Sequence, residues 1–188
     1  MVPQKVISYL EKSKIKYETL IHKQVFTAHD LAMTLHIAHK EIAKSLLLKA
    51  GSDFFLAILP ADRNLDFKKL TKLVKVKKIE LPKEQIMKTK FNVKPGALPA
   101  FGGLYKLPVF VDKAILPVKK ILLASGSFID SILMSPKDYV KSEQAILGNF
   151  SVVKKIKPMK PQKSIKTKKA TKNQKSTKQV KKINKKRK

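Results

Sequence analysis

The sequence contains no cysteine among its 188 residues. This absence excludes disulfide bonds, zinc sites with thiolate ligands and a catalytic thiol. The sequence also lacks the Gly-x-Ser-x-Gly motif that presents the nucleophilic serine of α/β-hydrolases. The four histidines, at positions 22, 29, 36 and 39, stand 7, 7 and 3 residues apart. A metal site would need about three of them to converge with an acid, so we expect no metal and no cofactor.

Long apolar segments are also missing. No run of residues approaches the ~20 apolar positions that a membrane-spanning helix needs. The first residues, MVPQK, lead into an amphipathic pattern rather than into the apolar region of a secretory signal. We therefore expect a cytoplasmic protein, or a nuclear one if the host is a eukaryote.

Acidic residues are scarce, and the imbalance is uneven along the chain. The 42 Lys and Arg residues and 13 Asp and Glu residues give a formal net charge of +29. Residues 154–188 hold 17 of the basic residues and no acid, which leaves 25 basic and 13 acidic residues, a net charge of +12, in residues 1–153. Charge on this scale indicates a polyanionic partner: RNA, DNA or an anionic membrane surface.

Residues 154–188 are of low complexity, and their few apolar residues cannot offset the entropy of ordering the chain. We expect them to form a disordered Lys-rich tail. Its contacts with RNA would be non-specific and steeply salt-dependent, because each phosphate that is neutralised releases counterions. A solvated tail without a partner is the alternative.

The order of apolar residues in residues 1–153 predicts one α+β domain with short strands interspersed among helices. Helical spacing predicts a first helix that ends near Ser13, and Thr27 and Asp66 are suited to cap two further helices. Pro82 is expected at the first position of another helix and Ser135 at the cap of the last one. Further strands are predicted at residues 17–21, 109–112, 121–124, 131–134 and 150–153.

The centre of this domain is a predicted β-hairpin. Two apolar runs, residues 46–48 and 54–59, flank a Gly-Ser-Asp turn, and Pro60 ends the second strand because it has no N–H to donate. Lys44 stands at the start of the first strand. A lysine beside a buried strand either extends its ammonium to solvent or holds a partner, and an anion in a cleft is the functional alternative.

A stretch rich in glycine and proline, residues 92–103, predicts a shaped loop rather than a linker. Leu98 and Phe101 within it are apolar, so they are poor candidates for solvent-facing positions.

Four stretches carry a resemblance to a known family. They are residues 26–32 (FTAHDLA), 42–49 (IAKSLLLK), 59–66 (LPADRNLD) and 95–102 with 107–112 (PGALPAFG and LPVFVD). In this order and spacing they resemble the YbaK/prolyl-tRNA-synthetase-associated domain family, whose members hydrolyse mischarged aminoacyl-tRNAs. The resemblance covers roughly residues 1 to 145 and implies a mixed, mostly antiparallel sheet curled into a partly open barrel with surrounding helices.

The same resemblance implies roles for particular residues. Lys44 would contact the phosphate or ribose end of the substrate, and backbone N–H groups around Gly96 would hold the aminoacyl carbonyl, so both are catalytic in this interpretation. The substrate-binding positions that we expect are His22, Thr27, Arg63, Ala97, Leu98, Pro99, Ala100, Phe101, Gly126 and Ser127. For Arg63, a surface ion pair with Asp62 is an equally good interpretation.

The implied function is hydrolysis, in trans, of tRNA that carries a small amino acid. The implied partners are tRNA and a possible aminoacyl-tRNA synthetase but no membrane, and we expect a monomer. The sequence departs from the family at two positions: Ala100 stands where the loop usually has proline, and Phe128 where many relatives have histidine. Two alternatives stay open, namely a catalytically silent member that binds tRNA or a synthetase, and a general nucleic-acid-binding protein dominated by its tail.

Overall fold

The computed structural model describes residues 1–154 of the chain. Within them the helices are α1 (Gln4–Lys12), α2 (Ala28–Leu35), α3 (Phe67–Val74), α4 (Glu84–Phe91) and α5 (Pro136–Ser142). The strands are β1 (Glu18–Ile21), β2 (Ala43–Ala50), β3 (Asp53–Pro60), β4 (Arg63–Leu65), β5 (Val109–Asp112), β6 (Ile121–Ala124), β7 (Asp130–Met134), β8 (Ile146–Gly148) and β9 (Ser151–Val153). The predicted disordered tail lies outside the described residues except for Lys154. No helix in residues 1–154 is long and apolar enough to cross a membrane.

The strands form three small sheets, and the α+β prediction with mostly antiparallel pairing is confirmed. The strand orders are β1-β7-β6, β2-β3-β5-β8 and β4-β9. β5 pairs in parallel with β3 and β8, and the other four pairs are antiparallel. Within residues 1–154 no sheet closes into a barrel, and a parallel bridge between Ile42 and Leu122 connects the first two sheets.

The predicted hairpin is confirmed as β2 and β3, which pair along their full length. β3 is buried on both faces, because Leu56 and Ile58 belong to one core cluster while Phe55 and Leu59 belong to another. Burial on both faces explains why residues 54–59 are uniformly apolar instead of alternating. β2 is an edge strand of its sheet, and this edge is where the candidate site lies.

Two of the predicted helix caps are confirmed at the level of hydrogen bonds. The Thr27 hydroxyl accepts the N–H of Asp30 at 3.1 Å, and the Asp66 carboxylate accepts the N–H of Lys69 at 3.1 Å. Each bond satisfies one backbone donor of a first helical turn. Ser135 precedes α5 as predicted, but its side chain makes no capping bond.

The prediction that Pro82 begins a helix is wrong. Glu80 exchanges two backbone hydrogen bonds of 2.9 Å with Lys49 at the edge of β2, and the chain reaches Lys83 in an extended conformation. The helix therefore begins two residues later than predicted, at Glu84. As a consequence Pro82 is left at the rim of the candidate site.

Candidate active site

A cleft with a volume of about 490 Å³ lies beside the edge strand β2. Its walls come from segments that are distant in sequence: residues 22–31, 42–47, 81–87, 96–98 and 122–131. The fold brings six of the predicted site residues together here, namely His22, Thr27, Lys44, Gly96, Leu98 and Ser127.

Lys44 is the second residue of β2, and its side chain is half-buried. Its Nζ donates a hydrogen bond to the backbone carbonyl of Arg63, the first residue of β4. An ammonium carries three donors, and the Arg63 carbonyl accepts from one of them without bringing a negative charge. Lys44 is therefore positioned to bind an anionic group of a ligand.

The protonation of Lys44 is sensitive to its surroundings. The pKa of Lys44 is lowered from 10.5 to about 8. Burial is the largest cause and the positive charge of Lys154 is the second, while the Asp62 carboxylate acts in the opposite direction. An anion bound beside the ammonium would favour its charged form.

Gly96 lines the same cleft from the shaped loop. Its φ is +83°, a conformation that glycine adopts without strain. The N–H of Ala97 donates to the Lys94 carbonyl at 3.0 Å, whereas within residues 1–154 the N–H groups of Gly96 and Leu98 have no backbone acceptor. These two N–H groups are therefore the candidate donors to a substrate carbonyl.

Ser45 is a cleft residue that the sequence analysis missed. Its Oγ is buried, and no hydrogen-bond partner for it is present among the described residues. Buried polar groups are usually hydrogen-bonded, so an unpartnered hydroxyl in the cleft wall is suited to a ligand. The available signal was a polar residue between Ala43 and Leu47 on one face of a buried strand.

His22 is held in one orientation in the cleft wall. Its Nδ1 lies 2.8 Å from the Lys23 carbonyl and its Nε2 lies 2.9 Å from the Ser131 hydroxyl. Because a carbonyl oxygen can only accept, Nδ1 of the neutral ring carries the proton and Nε2 accepts from Ser131. His22 therefore shapes the cleft, and its lone pair is already engaged.

Thr27 and Ser127 line the cleft with hydroxyls that also support the local backbone. Thr27 Oγ1 donates to Asp30 at 2.7 Å in addition to capping α2. Ser127 Oγ accepts the N–H of Ile129 at 3.2 Å. These bonds account for both residues as parts of the scaffold, and their predicted contacts with substrate stay a prediction.

An aromatic pair forms the wall beside Gly96. The rings of Phe26 and Phe128 lie 5.0 Å apart at 53°, and Phe26 is 64% exposed. A Cβ placed on Gly96 would lie 3.3 Å from Phe128 Cε1, so the ring covers this glycine closely. The N–H of Val25 donates to the Phe128 carbonyl at 3.0 Å and ties the two segments together. The sequence indicated Phe128 only as a departure from the family pattern.

Arg63 lies outside the cleft, in a second cavity of about 450 Å³ that Asp62 also lines. Within residues 1–154 no salt bridge joins Arg63 to Asp62, so the surface ion pair considered above does not form.

The rest of the shaped loop lies partly behind the cleft. Ala97, Pro99 and Gly126 line a third cavity, which shares Ser127 and Phe128 with the cleft. Ala100 and Phe101 are 0% exposed and belong to the main core cluster. The structure therefore does not bring Ala100 and Phe101 to the cleft, because the loop needs both to anchor it in the core.

The cleft combines an ammonium group, backbone donors at the Gly96 corner, an unpartnered hydroxyl and apolar walls. This arrangement can hold an anionic group near Lys44 while polarising a carbonyl near Gly96. Such a site can promote hydrolysis by positioning and by stabilising an oxyanion, without a nucleophilic side chain.

Comparison with known proteins identifies a family and similar solved structures. A family model described as the aminoacyl-tRNA editing domain matches residues 22–142. A crystal structure of a protein described as hypothetical has a TM-score of 0.74 and 19% identity, covering 79% of this chain and 99% of that chain. A proposed trans-editing enzyme for prolyl tRNA synthetase has a TM-score of 0.70 and 20% identity, covering 79% and 96%. No curated protein matches the chain. The matched residues 22–142 include the walls of the cleft.

Proposed function

Because the chain belongs to the aminoacyl-tRNA editing domain family, we propose that it hydrolyses, in trans, the ester of tRNA that carries a wrong, small amino acid. The observation that carries this proposal is that one cleft contains both Lys44 and the Gly96 loop. Lys44 offers a cation for the nucleotide end of the substrate, and the Gly96 loop offers backbone N–H donors for the ester carbonyl.

The proposed reaction needs no covalent intermediate with the protein. Water adds to the ester carbonyl carbon, and the negative charge that develops on the carbonyl oxygen is stabilised by the N–H groups of Gly96 and Leu98. The bond between the carbonyl carbon and the ribose oxygen then breaks, and that oxygen takes up a proton. The products are the free amino acid and uncharged tRNA. Lys44 holds the phosphate or ribose and so fixes the ester in position.

A deacylation assay with a panel of mischarged tRNAs tests this function. We expect release of the free amino acid from at least one small aminoacyl ester. Binding of tRNA without release would favour the catalytically silent alternative. Equal, purely salt-dependent binding of tRNA and duplex DNA, again without hydrolysis, would favour a general nucleic-acid-binding protein.

The aromatic wall leads to a prediction about selectivity. The wild-type protein should prefer alanyl, seryl or cysteinyl esters to phenylalanyl esters, because Phe128 and Leu98 restrict the space beside Gly96. A Phe128→Ala substitution should lower the preference for alanyl over phenylalanyl esters by about ten-fold or more, measured as the ratio of kcat/KM values, since a pocket excludes large groups by volume.

Phe67 is a matched control for this substitution. It is also a partly exposed phenylalanine (39%), at the first position of α3 and outside the cleft. Phe67→Ala should leave the preference unchanged. Equal hydrolysis of alanyl and phenylalanyl esters by the wild-type protein would contradict a small pocket.

The tail leads to a prediction about affinity. Removal of residues 155–188 takes away 16 positive charges. It should raise KM at moderate salt and flatten the dependence of log affinity on log salt concentration, because fewer counterions are released. The ranking of aminoacyl groups and kcat at saturation should stay the same, because selection occurs where the ester is held.

The comparison uses the full chain and a protein that ends at Lys154, at two salt concentrations and with two aminoacyl groups. A changed ranking of substrates, or an unchanged affinity and salt slope, would show that the tail does not act as a tether.

A further inference from the structure

A second cavity is lined by Arg63, the residue to which Lys44 donates its hydrogen bond. Its volume is about 450 Å³, and its charged lining residues are Lys40, Glu41, Asp62, Arg63 and Lys119. Arg63 lines this cavity, and its backbone carbonyl accepts the hydrogen bond from Lys44 Nζ, so Lys44 connects the cavity with the proposed ester site.

The cavity has more positive than negative charge around it. Three cations and two carboxylates line it, and no ion pair joins them within residues 1–154. Lys154 adds a further cation, because its backbone N–H donates to the Asp62 carbonyl at 3.0 Å and its charge lowers the pKa of Lys44. Unpaired cations that converge on a concave surface are suited to phosphate groups.

The cations come from separate parts of the fold. Lys40 lies in the 3₁₀ helix before β2, Arg63 begins β4, and Lys119 precedes β6. Arg63 is the only arginine in residues 1–154, in a chain that otherwise uses lysine. A guanidinium can bind two phosphate oxygens at once, which an ammonium cannot do with the same geometry.

We propose that this cavity binds the phosphate backbone of the single-stranded 3′ end of tRNA, directly upstream of the nucleotide that carries the ester. This inference rests on the proposed function. The terminal ribose lies in the cleft, Lys44 marks the boundary, and Arg63, Lys40 and Lys119 contact the preceding phosphates. Backbone contacts of this kind position a nucleic acid without reading its sequence.

The cavity lies close to the point at which the described part of the chain ends and the basic tail sequence continues. β9 pairs with β4, so the last described residue, Lys154, lies beside the cavity. The sequence continues from there with 16 Lys and Arg residues and no acid. A polyanion that follows the cavity away from the cleft would thus meet Lys154.

The test compares substrates of increasing length that carry the amino acid that the deacylation panel identifies. They are the aminoacyl ester of adenosine, which has no phosphate, the aminoacyl trinucleotide CCA, and the full aminoacyl-tRNA. Arg63→Gln and Lys119→Gln should each lower kcat/KM about ten-fold for CCA and tRNA, through KM. The penalty should be absent with aminoacyl-adenosine, because that substrate has nothing to place in the cavity.

Two single variants, Lys72→Gln and Lys88→Gln, are the controls. They remove exposed lysines of α3 and α4 that line neither cavity. For tRNA, each cavity variant should reduce the slope of log affinity against log salt by about 0.7, the value for one single-strand phosphate contact, and more than either control variant does. Lys119 lies in an exposed segment, so its variant tests the site independently of any effect of Arg63 on folding.

Several outcomes would overturn the inference. They are an equal loss with all three substrates, no loss with any of them, or a loss as large for the controls as for Arg63 and Lys119. A wild-type protein that hydrolyses none of the esters would instead overturn the proposed function, so the two failures are distinguishable.

Discussion

Replacement of Lys44 by alanine is expected to abolish deacylation, with a fall in kcat/KM on the order of 10²-fold or more. The ammonium lies at the boundary between the cleft and the second cavity, and among residues 1–154 its hydrogen-bond acceptor is the neutral Arg63 carbonyl. A hydrogen bond from a charged donor contributes about 1.5–3 kcal/mol, and the loss of correct positioning adds to that penalty. Release of the free amino acid from mischarged tRNA measures the effect.

The stability of the Lys44→Ala protein should change by less than about 0.5 kcal/mol, the usual range for substitutions outside the core. The hydrogen bond to Arg63 favours the folded state, whereas the partial burial of a charge opposes it, as the lowered pKa of Lys44 indicates. Lys44→Met retains the aliphatic part of the side chain and should be equally inactive. An active Met variant, or an Ala variant that unfolds at much lower denaturant concentration, would assign Lys44 a structural role.

The pH dependence provides a further check on the role of Lys44. Because its pKa is about 8, the ammonium is present below that pH and is lost as the pH rises through it. KM should therefore rise above about pH 8 in the wild-type protein, after subtraction of spontaneous ester hydrolysis. In Lys44→Arg, whose guanidinium stays charged, this rise should disappear. A rate that increases above pH 8 with constant KM would indicate that neutral Lys44 acts as a base.

Features that depend on neighbours in sequence could be predicted from the sequence. The β2–β3 hairpin follows from two apolar runs around a turn, and the Thr27 and Asp66 caps need only a donor three residues away. The loop around Leu98 was predicted to be packed, and Leu98 is 6% exposed. Strands β4 and β8 have no counterpart among the predictions; each has three residues and pairs with a strand that is distant in sequence.

In the candidate site, too, some features could be predicted from the sequence, whereas others depend on tertiary contacts. Motif positions indicated Lys44 and Gly96, and the structure places both in one cleft. The sequence could not indicate that Lys44 would donate to Arg63, because that contact depends on how β2 and β4 approach each other. The Phe26–Phe128 pair is likewise a tertiary contact between residues about a hundred positions apart. Phe101 was expected in the site from the family resemblance of its loop, but its apolar side chain is buried in the core instead.

Replacement of Gly96 by alanine is expected to lower kcat by about 10²-fold, the range found when one donor of an oxyanion site is lost. Two physical effects act together. A φ of +83° is unfavourable for a residue with a Cβ, and that Cβ would lie 3.3 Å from Phe128 Cε1, closer than an ordinary contact. Relief of both effects requires the loop to move, which displaces the N–H groups of Gly96 and Leu98 from the carbonyl that they are proposed to hold. Single-turnover deacylation measures the chemical step.

Gly51 provides a matched control for the backbone effect of this substitution. Its φ is +63°, it lies in the hairpin turn, and a Cβ there would meet no atom within 4 Å. Both Gly→Ala variants should lose about 1 kcal/mol of stability from the positive φ, but only Gly96→Ala should lose activity. The double variant Gly96→Ala with Phe128→Ala removes the steric contact and leaves the unfavourable φ. Partial recovery of kcat in that protein would assign the remaining loss to the backbone, whereas an active Gly96→Ala protein would remove this loop from the mechanism.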